Sequence, residues 1–253
     1  MTALVGIYCQ DGVVIGADSA ATSALASGQP TVEQPVMKIQ IVDEKFIIAG
    51  TGAVGLGQRF TSIVRNLWDK KAFLGKTEIE STKLMSASTI QDFGQTFMKP
   101  GSFGALVAYP NKDGGNNNRC HLVEFAVNDF QPEFKDKNLW YVSMGSGQAI
   151  IDPFLSFMRE IFWSDGPPTV QDAVFIVTWL LDHAIKVNPG GVNNPVKIAI
   201  LESVDGAWKA RCLSEEELLE HRESQEAAKQ ALRNFKDRIS LDSEAVDLPA
   251  PPA

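Results

Sequence analysis

Three residues near the start of the chain, Thr2, Asp18 and Lys38, have the side chains that an acyl-transfer site needs. A threonine hydroxyl is a weak nucleophile and requires a base. One base lies on the same residue: the Thr2 α-amine, liberated when Met1 is removed, with an ordinary pKa of about 7.7–8.0. A lysine ammonium beside it favours the unprotonated amine and stabilises a developing alkoxide. A carboxylate can hold that lysine in place. Gly50 to Gly57 adds backbone N–H groups at a helix start, suited to an oxyanion. Taken singly, Thr2 reads as a chain end, Asp18 as a turn residue and Lys38 as a solvated side chain. The set of three meets one chemical need.

Competing chemistries have less behind them. His121, His183 and His221 have no partner at ligand spacing, and neither HExxH nor GxSxG occurs. Cys9, Cys120 and Cys212 are too scattered for a metal site or a disulfide framework. No metal or cofactor is expected. Gly50-Thr51-Gly52-Ala53-Val54-Gly55 does fit GxGxxG, so nucleotide binding stays open as an alternative. The segment that follows, KKAFLGKTEIES, is not the second parallel strand that a dinucleotide fold requires, and the strands before it read as hairpins.

The elements that would position these residues follow from periodicity. Ala3 to Cys9 and Val13 to Ala17 read as strands around Gln10-Asp11-Gly12, a turn in which Asp-Gly supplies a positive-φ pair. A polar, Pro-containing loop is expected from Ser19 to Pro35. Val36 to Val42 alternates, with Met37, Ile39 and Ile41 on one face and Lys38 and Gln40 on the other, and Phe46 to Ala49 is a further strand. Helical spacing runs from Ala53 to Leu67, and a helix is expected from Ser88 to Met98, ended by Pro100. Strands return at Phe103 to Tyr109 and Cys120 to Val127, flanking a Gly/Asn-rich turn at Asn111 to Asn118, and again at Leu139 to Ser143. Helices follow at Ala149 to Phe162 and from Thr169, the latter apolar on nearly every side and therefore buried. Val196 to Leu201 and Trp208 to Cys212 form a last hairpin around Asp205-Gly206. Two sheets face to face with helices on both outer sides satisfy this order, an α+β, four-layer αββα sandwich over residues 1–213. Ser214 and Glu217 form a capping box that opens a helix over 214–239. Its stripe of Leu219, Ala228, Leu232, Phe235 and Ile239 must pack on the body or a neighbour, and the acidic, Pro-rich end, 240–253, is expected to be disordered.

The bulk numbers exclude several classes. A formal charge of -8 with no basic surface argues against nucleic acid. No apolar run reaches the roughly 18 residues of a membrane span, and the N-terminus lacks the basic region of a signal peptide. A cytoplasmic protein is expected. Residues 214–247 carry ten acidic against five basic side chains, which reads as a solvated helix face and tail.

These residues also resemble a family. TALVGIYCQDGVVIGADSAAT looks like the opening of proteasome β subunits and of HslV, their simpler bacterial relative, and VMKIQIVDEKFIIAGTGAVGLGQ resembles the segment that follows there. SMGSG resembles the family's Gly-Ser-Gly turn. The resemblance implies an N-terminal-nucleophile hydrolase fold and a threonine peptidase, with Thr2 as nucleophile, Asp18 and Lys38 as its charged support, Gly52 N–H as oxyanion donor and Ser146 orienting the amine. It also implies that the Thr22 backbone pairs with the substrate, and that Gly50 and Val54 line the primary specificity pocket, where Gly50 suggests a roomy one. Unfolded protein or peptide would be the substrate. Stacked homo-oligomeric rings, a dodecamer or tetradecamer, would be the assembly, with an unfoldase ATPase as a partner to look for. The long C-terminal helix, the acidity and the longer loop between Asp18 and Lys38 resemble the bacterial proteasome homologue group.

The sequence also departs from the family. Where it usually has Arg-Asp-x-x-Ser-Gly, this chain has Lys186-Val187-Asn188-Pro189-Gly190-Gly191. The usual Asp and Ser are missing, with Asn188 as the substitute to test. A non-catalytic ring subunit therefore stays open as an alternative, as does an amidohydrolase of small amides, which the same nucleophile could serve.

Overall fold

The N-terminal strands pair with each other first. In the computed structural model, which describes residues 2–24, 30–98, 101–110, 119–163, 166–188 and 191–243, β1 (Leu4–Tyr8) and β2 (Gly12–Ala17) form an antiparallel hairpin, Leu4 opposite Ala17. Neither Asp11 nor Gly12 takes a positive φ, contrary to the turn expected there. Gly12 is needed for a different reason: a Cβ would overlap the Leu201 carbonyl of the neighbouring strand. The segment 19–35 is not a loop throughout. β3 (Ala20–Ala24) and β4 (Pro30–Pro35) pair as a separate two-stranded sheet. Small residues in β3 and polar residues bounded by prolines in β4 hid it.

β5 covers only Ile39–Val42 and β6 Phe46–Gly52, joined through Asp43 and Glu44, both at positive φ. The alternating face expected from Val36 breaks down at its start, since Met37 is 76% exposed while Ile39 is buried. α1 (Val54–Asp69) and α2 (Glu78–Gln95) follow. α2 begins ten residues earlier than its apolar spacing suggests, because Thr77 and Glu80 form a capping box. It ends at Gln95, and Pro100 lies outside the described residues, as do 111–118. β7 (Phe103–Pro110), β8 (Cys120–Phe125) and a short β9 (Pro132–Lys135), not expected from the sequence, complete the second sheet. β10 (Tyr141–Met144), α3 (Gln148–Phe162), α4 (Val170–Val187), β11 (Lys197–Val204) and β12 (Ala207–Cys212) finish the body.

The two five-stranded antiparallel sheets run β10-β1-β2-β11-β12 and β5-β6-β7-β8-β9. Leu4, Ile15 and Leu201 from the first meet Ile47, Leu106 and Leu122 from the second in one dry core. On the far side of the first sheet lie α3 and α4. Gly16 has no side chain because Val177 and Leu181 of α4 press onto it. On the far side of the second sheet, α1 and α2 cover an aromatic core of Phe46, Phe60, Phe93, Phe103, Phe125 and Phe130. The order is helix, sheet, sheet, helix, the expected αββα sandwich. Of the predicted buried helix, Val174, Val177, Leu180 and Leu181 are fully or almost fully buried.

Contacts divide the chain into a body, Met1–Leu213, and a second unit, Ser214–Ala253. In the second unit the Ser214/Glu217 box opens α5 (Glu215–Ser243). At about 100° per residue, Leu219 falls on the opposite side of α5 from Ala228, Leu232, Phe235 and Ile239, so it does not belong to their stripe. α5 also continues four residues beyond the expected end; 244–253 lie outside the described residues. Among the described residues no helix is long and apolar enough to cross a membrane.

Candidate active site

Asp18 directly follows β2, and its side chain is fully buried. A buried carboxylate is stable only if its oxygens are satisfied, and here four donors converge on it. Oδ1 accepts the Ala3 N–H at 2.8 Å and Lys38 Nζ at 2.7 Å. Oδ2 accepts the Ala20 N–H at 3.0 Å and the Asn193 N–H at 3.3 Å. The Asp18 N–H in turn donates to the Ala3 carbonyl at 3.2 Å. The carboxylate thus fixes the residue next to Thr2, the start of β3, the 191–195 segment and Lys38 in one place.

Lys38 comes from the other side of the cleft. Its carbonyl accepts the Gly50 N–H at 3.2 Å, so its backbone is tied to β6 of the second sheet. Its side chain crosses to Asp18 of the first, and the ion pair is dry, with the side chains 7% and 0% exposed. Removing one member of such a pair leaves an uncompensated charge and costs about 3–5 kcal/mol.

Thr2 is buried, at 6% exposure. The Gly145-Ser146-Gly147 turn between β10 and α3 wraps it. The Thr2 N–H donates to Ser146 Oγ at 3.0 Å, and the Gly147 N–H donates to the Thr2 carbonyl at 3.0 Å. Gly145, at φ 90°, lies so close that a Cβ would overlap the Thr2 carbonyl, and a Cβ at Gly147 would come within 2.7 Å of Ala3 Cβ. Glycines on both sides of Ser146 are therefore what allows the turn to close on the backbone of Thr2. One turn further on, Asp152 of α3 accepts hydrogen bonds from Ser143 Oγ and from Gln148, bracing β10 against the helix.

Thr2, Lys38 and Ser146 line one cavity of about 420 Å³, together with Gly50, Gly52 and Val54. Six of the eight expected site residues therefore meet at one cleft, and a seventh, Asp18, lies directly behind Lys38. Gly52 ends β6 at φ 105°, and a Cβ there would overlap the Ser102 carbonyl. Only glycine fits this bend, which turns the chain into the N-terminus of α1. Thr22 lies on β3, its backbone opposite Glu33 of β4.

Gly50 does not enlarge the pocket in the way its missing side chain suggests. A Cβ at Gly50 would sit 2.7 Å from Cε2 of Phe103, so the Phe103 ring already occupies that space. Asn188 is not the substitute orienter. It caps α4, with its N–H on the Ala184 carbonyl, and its own carbonyl accepts from Gly191 and Val192. Among the described residues its side chain makes no hydrogen bond to Thr2 or Ser146. The same segment contributes instead through the main chain of Asn193, whose N–H meets Asp18 and whose carbonyl accepts from Ser19 at 3.0 Å. Sequence reasoning missed Ala3, Ala20, Asn193 and Phe103. The first three act through backbone groups that every residue type carries, so no signal marked them. Of the body's histidines, His121 packs against Tyr109 and Phe134 and His183 against Phe154, away from this cavity. At Gly50 to Gly55 the strand β6 has antiparallel neighbours on both sides, not the parallel crossover of a dinucleotide site.

Comparison with known proteins places this geometry. No curated protein matches the chain by sequence. Among solved structures, Anbu from Hyphomicrobium sp. strain MC1 has a TM-score of 0.68 at 13% identity, covering 93% of this chain and 97% of that one. A Gly-1 mutant of Anbu from the same strain has a TM-score of 0.68 at 13% identity, covering 95% of this chain and 100% of that one. At such identity the likeness is one of fold. The model of the proteasome subunit family matches residues 2–125, the stretch that holds Thr2, Asp18, Lys38 and Gly52, and the chain carries the proteasome-type αββα fold.

Proposed function

We propose that this chain is a threonine-type peptidase subunit in which Thr2, once it bears a free α-amine, attacks peptide bonds. The observation that carries this is the Ser146 Oγ contact of 3.0 Å to the Thr2 nitrogen, in the cavity that Lys38 also lines. The amine takes the Thr2 hydroxyl proton as Oγ bonds to the peptide carbonyl carbon. Lys38, held by Asp18, keeps the amine unprotonated and stabilises the alkoxide. The oxyanion forms against the Gly52 N–H. The C–N bond then breaks as the Thr2 α-ammonium gives that proton to the leaving amine, and water hydrolyses the Thr2 ester. Among the described residues β3 has a strand on one edge only, so the Thr22 backbone can take an extended substrate as an added strand. Gly50 and Val54 line the space for the side chain next to the scissile bond.

The substrate class is unfolded polypeptide in the cytoplasm, and the assembly is a homo-oligomer of stacked rings to which an unfoldase ATPase could dock. Exposed Phe157, Ile161 and Phe162 on α3 support burial of that face between subunits. The long α5 supports placement with the bacterial proteasome homologue group.

Intact mass before and after treatment with a peptide epoxyketone tests the reading. A single adduct on protein that begins at Thr2, absent in Thr2→Ala, is the expected result. Unlabelled protein that begins at Thr2 and still forms rings by native mass spectrometry favours the non-catalytic alternative, which the missing Asn188 contact also favours.

A further inference from the structure

Phe103 belongs to two places at once. Its ring is packed into the aromatic core, 5.8 Å from the Phe60 centroid, 6.1 Å from Phe93 and 5.9 Å from Phe130, and the residue is 4% exposed. It is also one of the residues lining the Thr2 cavity. Two glycines from different elements face the same ring edge. A Cβ on Gly50 of β6 would lie 2.7 Å from Cε2 and 3.0 Å from Cζ; one on Gly57 of α1 would lie 3.4 and 3.8 Å from the same two atoms. A side chain on Gly50 would overlap this edge, while one on Gly57 would only touch it, so it is the bare backbone of Gly50 that lets the ring edge reach the cavity.

The rest of the lining has little charge to offer. Among the described lining residues Lys38 is the one ionisable side chain, and it is held by Asp18. Ile48 is buried beside Gly50, and Met37 and Val54 form an apolar lip, 76% and 46% exposed. A charged substrate side chain set against these described residues would lose hydration without a free counter-charge among them.

We propose that Phe103 is a specificity-determining residue: its ring edge closes the far end of the cavity, so that the site takes an uncharged side chain whose largest size is set by that ring. This rests on the acyl-transfer reading of Thr2 for its catalytic consequence, and on the cavity alone for binding. Phe103→Leu removes the ring edge and lengthens the space under Gly50 and Gly57. Gly50→Ala drives a methyl into a ring that three other rings hold in place, and combining it with Phe103→Leu relieves the clash.

The experiment uses coumarin amides of one acetylated tripeptide that differ only in the residue bearing the scissile carbonyl: Leu, Phe, Trp, Asp or Arg. Phe103→Leu is expected to raise kcat/KM for the Trp substrate relative to the Leu substrate by about tenfold or more, the scale on which an apolar pocket discriminates by size. Gly50→Ala is expected to lose activity on all the uncharged substrates and the double variant to recover it. Calorimetric binding of the corresponding peptide carboxamides to proteins that also carry Thr2→Ala, which lack the nucleophile, gives the same size ranking without turnover. It therefore separates a failure of this inference from a failure of the peptidase reading. Phe103→Met, whose unbranched thioether adapts to irregular core gaps, repeats the measurement should Phe103→Leu melt below assay temperature. An unchanged Trp-to-Leu ratio in both catalysis and binding, or a wild-type preference for the Asp or Arg probe, overturns the proposal.

Discussion

The two sheets build opposite walls of the cleft by different physics. The first contributes Thr2, Asp18 and the Ser146 turn, held by hydrogen bonds in which all four contacts to one buried carboxylate are accounted for. The second contributes Gly50, Gly52 and Phe103, where shape comes from missing side chains and from ring packing. A fault in the first wall is an unpaired polar group and damages chemistry and stability together. A fault in the second is one of volume, and its effect depends on whether the altered atoms face the cavity.

The sharpest test of the contrast is Asp18→Ala. It takes the buried carboxylate away from Lys38 and from three backbone N–H groups, so a stability loss of about 3–5 kcal/mol is expected, or roughly 6–20 °C in melting temperature. Peptide hydrolysis should vanish even below the new melting point. Phe46→Ala is the counterpart in the second wall. Phe46 is 1% exposed, stacks on Tyr109 at 5.5 Å and does not line the cavity. A comparable loss of about 3–5 kcal/mol is expected, yet turnover per folded molecule should be unchanged. Should Phe46→Ala abolish turnover while still folded, the division between the walls is wrong.

Ser146→Ala separates orientation from support. It deletes one hydrogen bond at the Thr2 nitrogen, worth about 0.5–1.5 kcal/mol, and should lower kcat by roughly tenfold with little change in KM. Equal retention of kcat would mean that the Gly145 and Gly147 backbone alone positions Thr2. The smallest effect belongs to the helical edge of the second wall. The Glu80 carboxyl is held below its ordinary value of 4.5 by the Thr77 backbone N–H and then the Thr77 hydroxyl. A carboxylate depressed in the folded state stabilises above its unfolded pKa and loses that effect as pH falls through the folded one. Glu80→Gln should therefore melt slightly below the wild type at neutral pH, and the gap should close as the medium is acidified below about pH 4.

How much of this was legible in the sequence follows the same division. Residues with a distinctive side chain, Thr2, Asp18 and Lys38, could be picked out by type and order, Ser146 only through the family resemblance of SMGSG, and the glycines at 50 and 52 by their place between a strand and a helix. The backbone donors of Ala3, Ala20 and Asn193 could not, because nothing in a residue name says where its N–H points. Gly50 misled for a related reason. An absent side chain leaves room, but the sequence does not say what fills it, and the answer lay 53 positions away in Phe103. The hairpin of β3 and β4 escaped because β3 is made of small residues and β4 is polar and bounded by proline, while the first half of α2 was hidden because the face it buries is largely Ser81, Thr82 and Ser86 rather than apolar residues.

The double membership of Phe103 has an evolutionary corollary. When the atom that selects a ligand is also a structural member of the interior, drift toward a new preference must pass through less stable intermediates. Lineages of this protein would then diversify first at the outer lip, where Met37 and Val54 stand in solvent and can be exchanged at small cost, and only later, with compensating changes around Phe60 and Phe93, at the depth of the cleft.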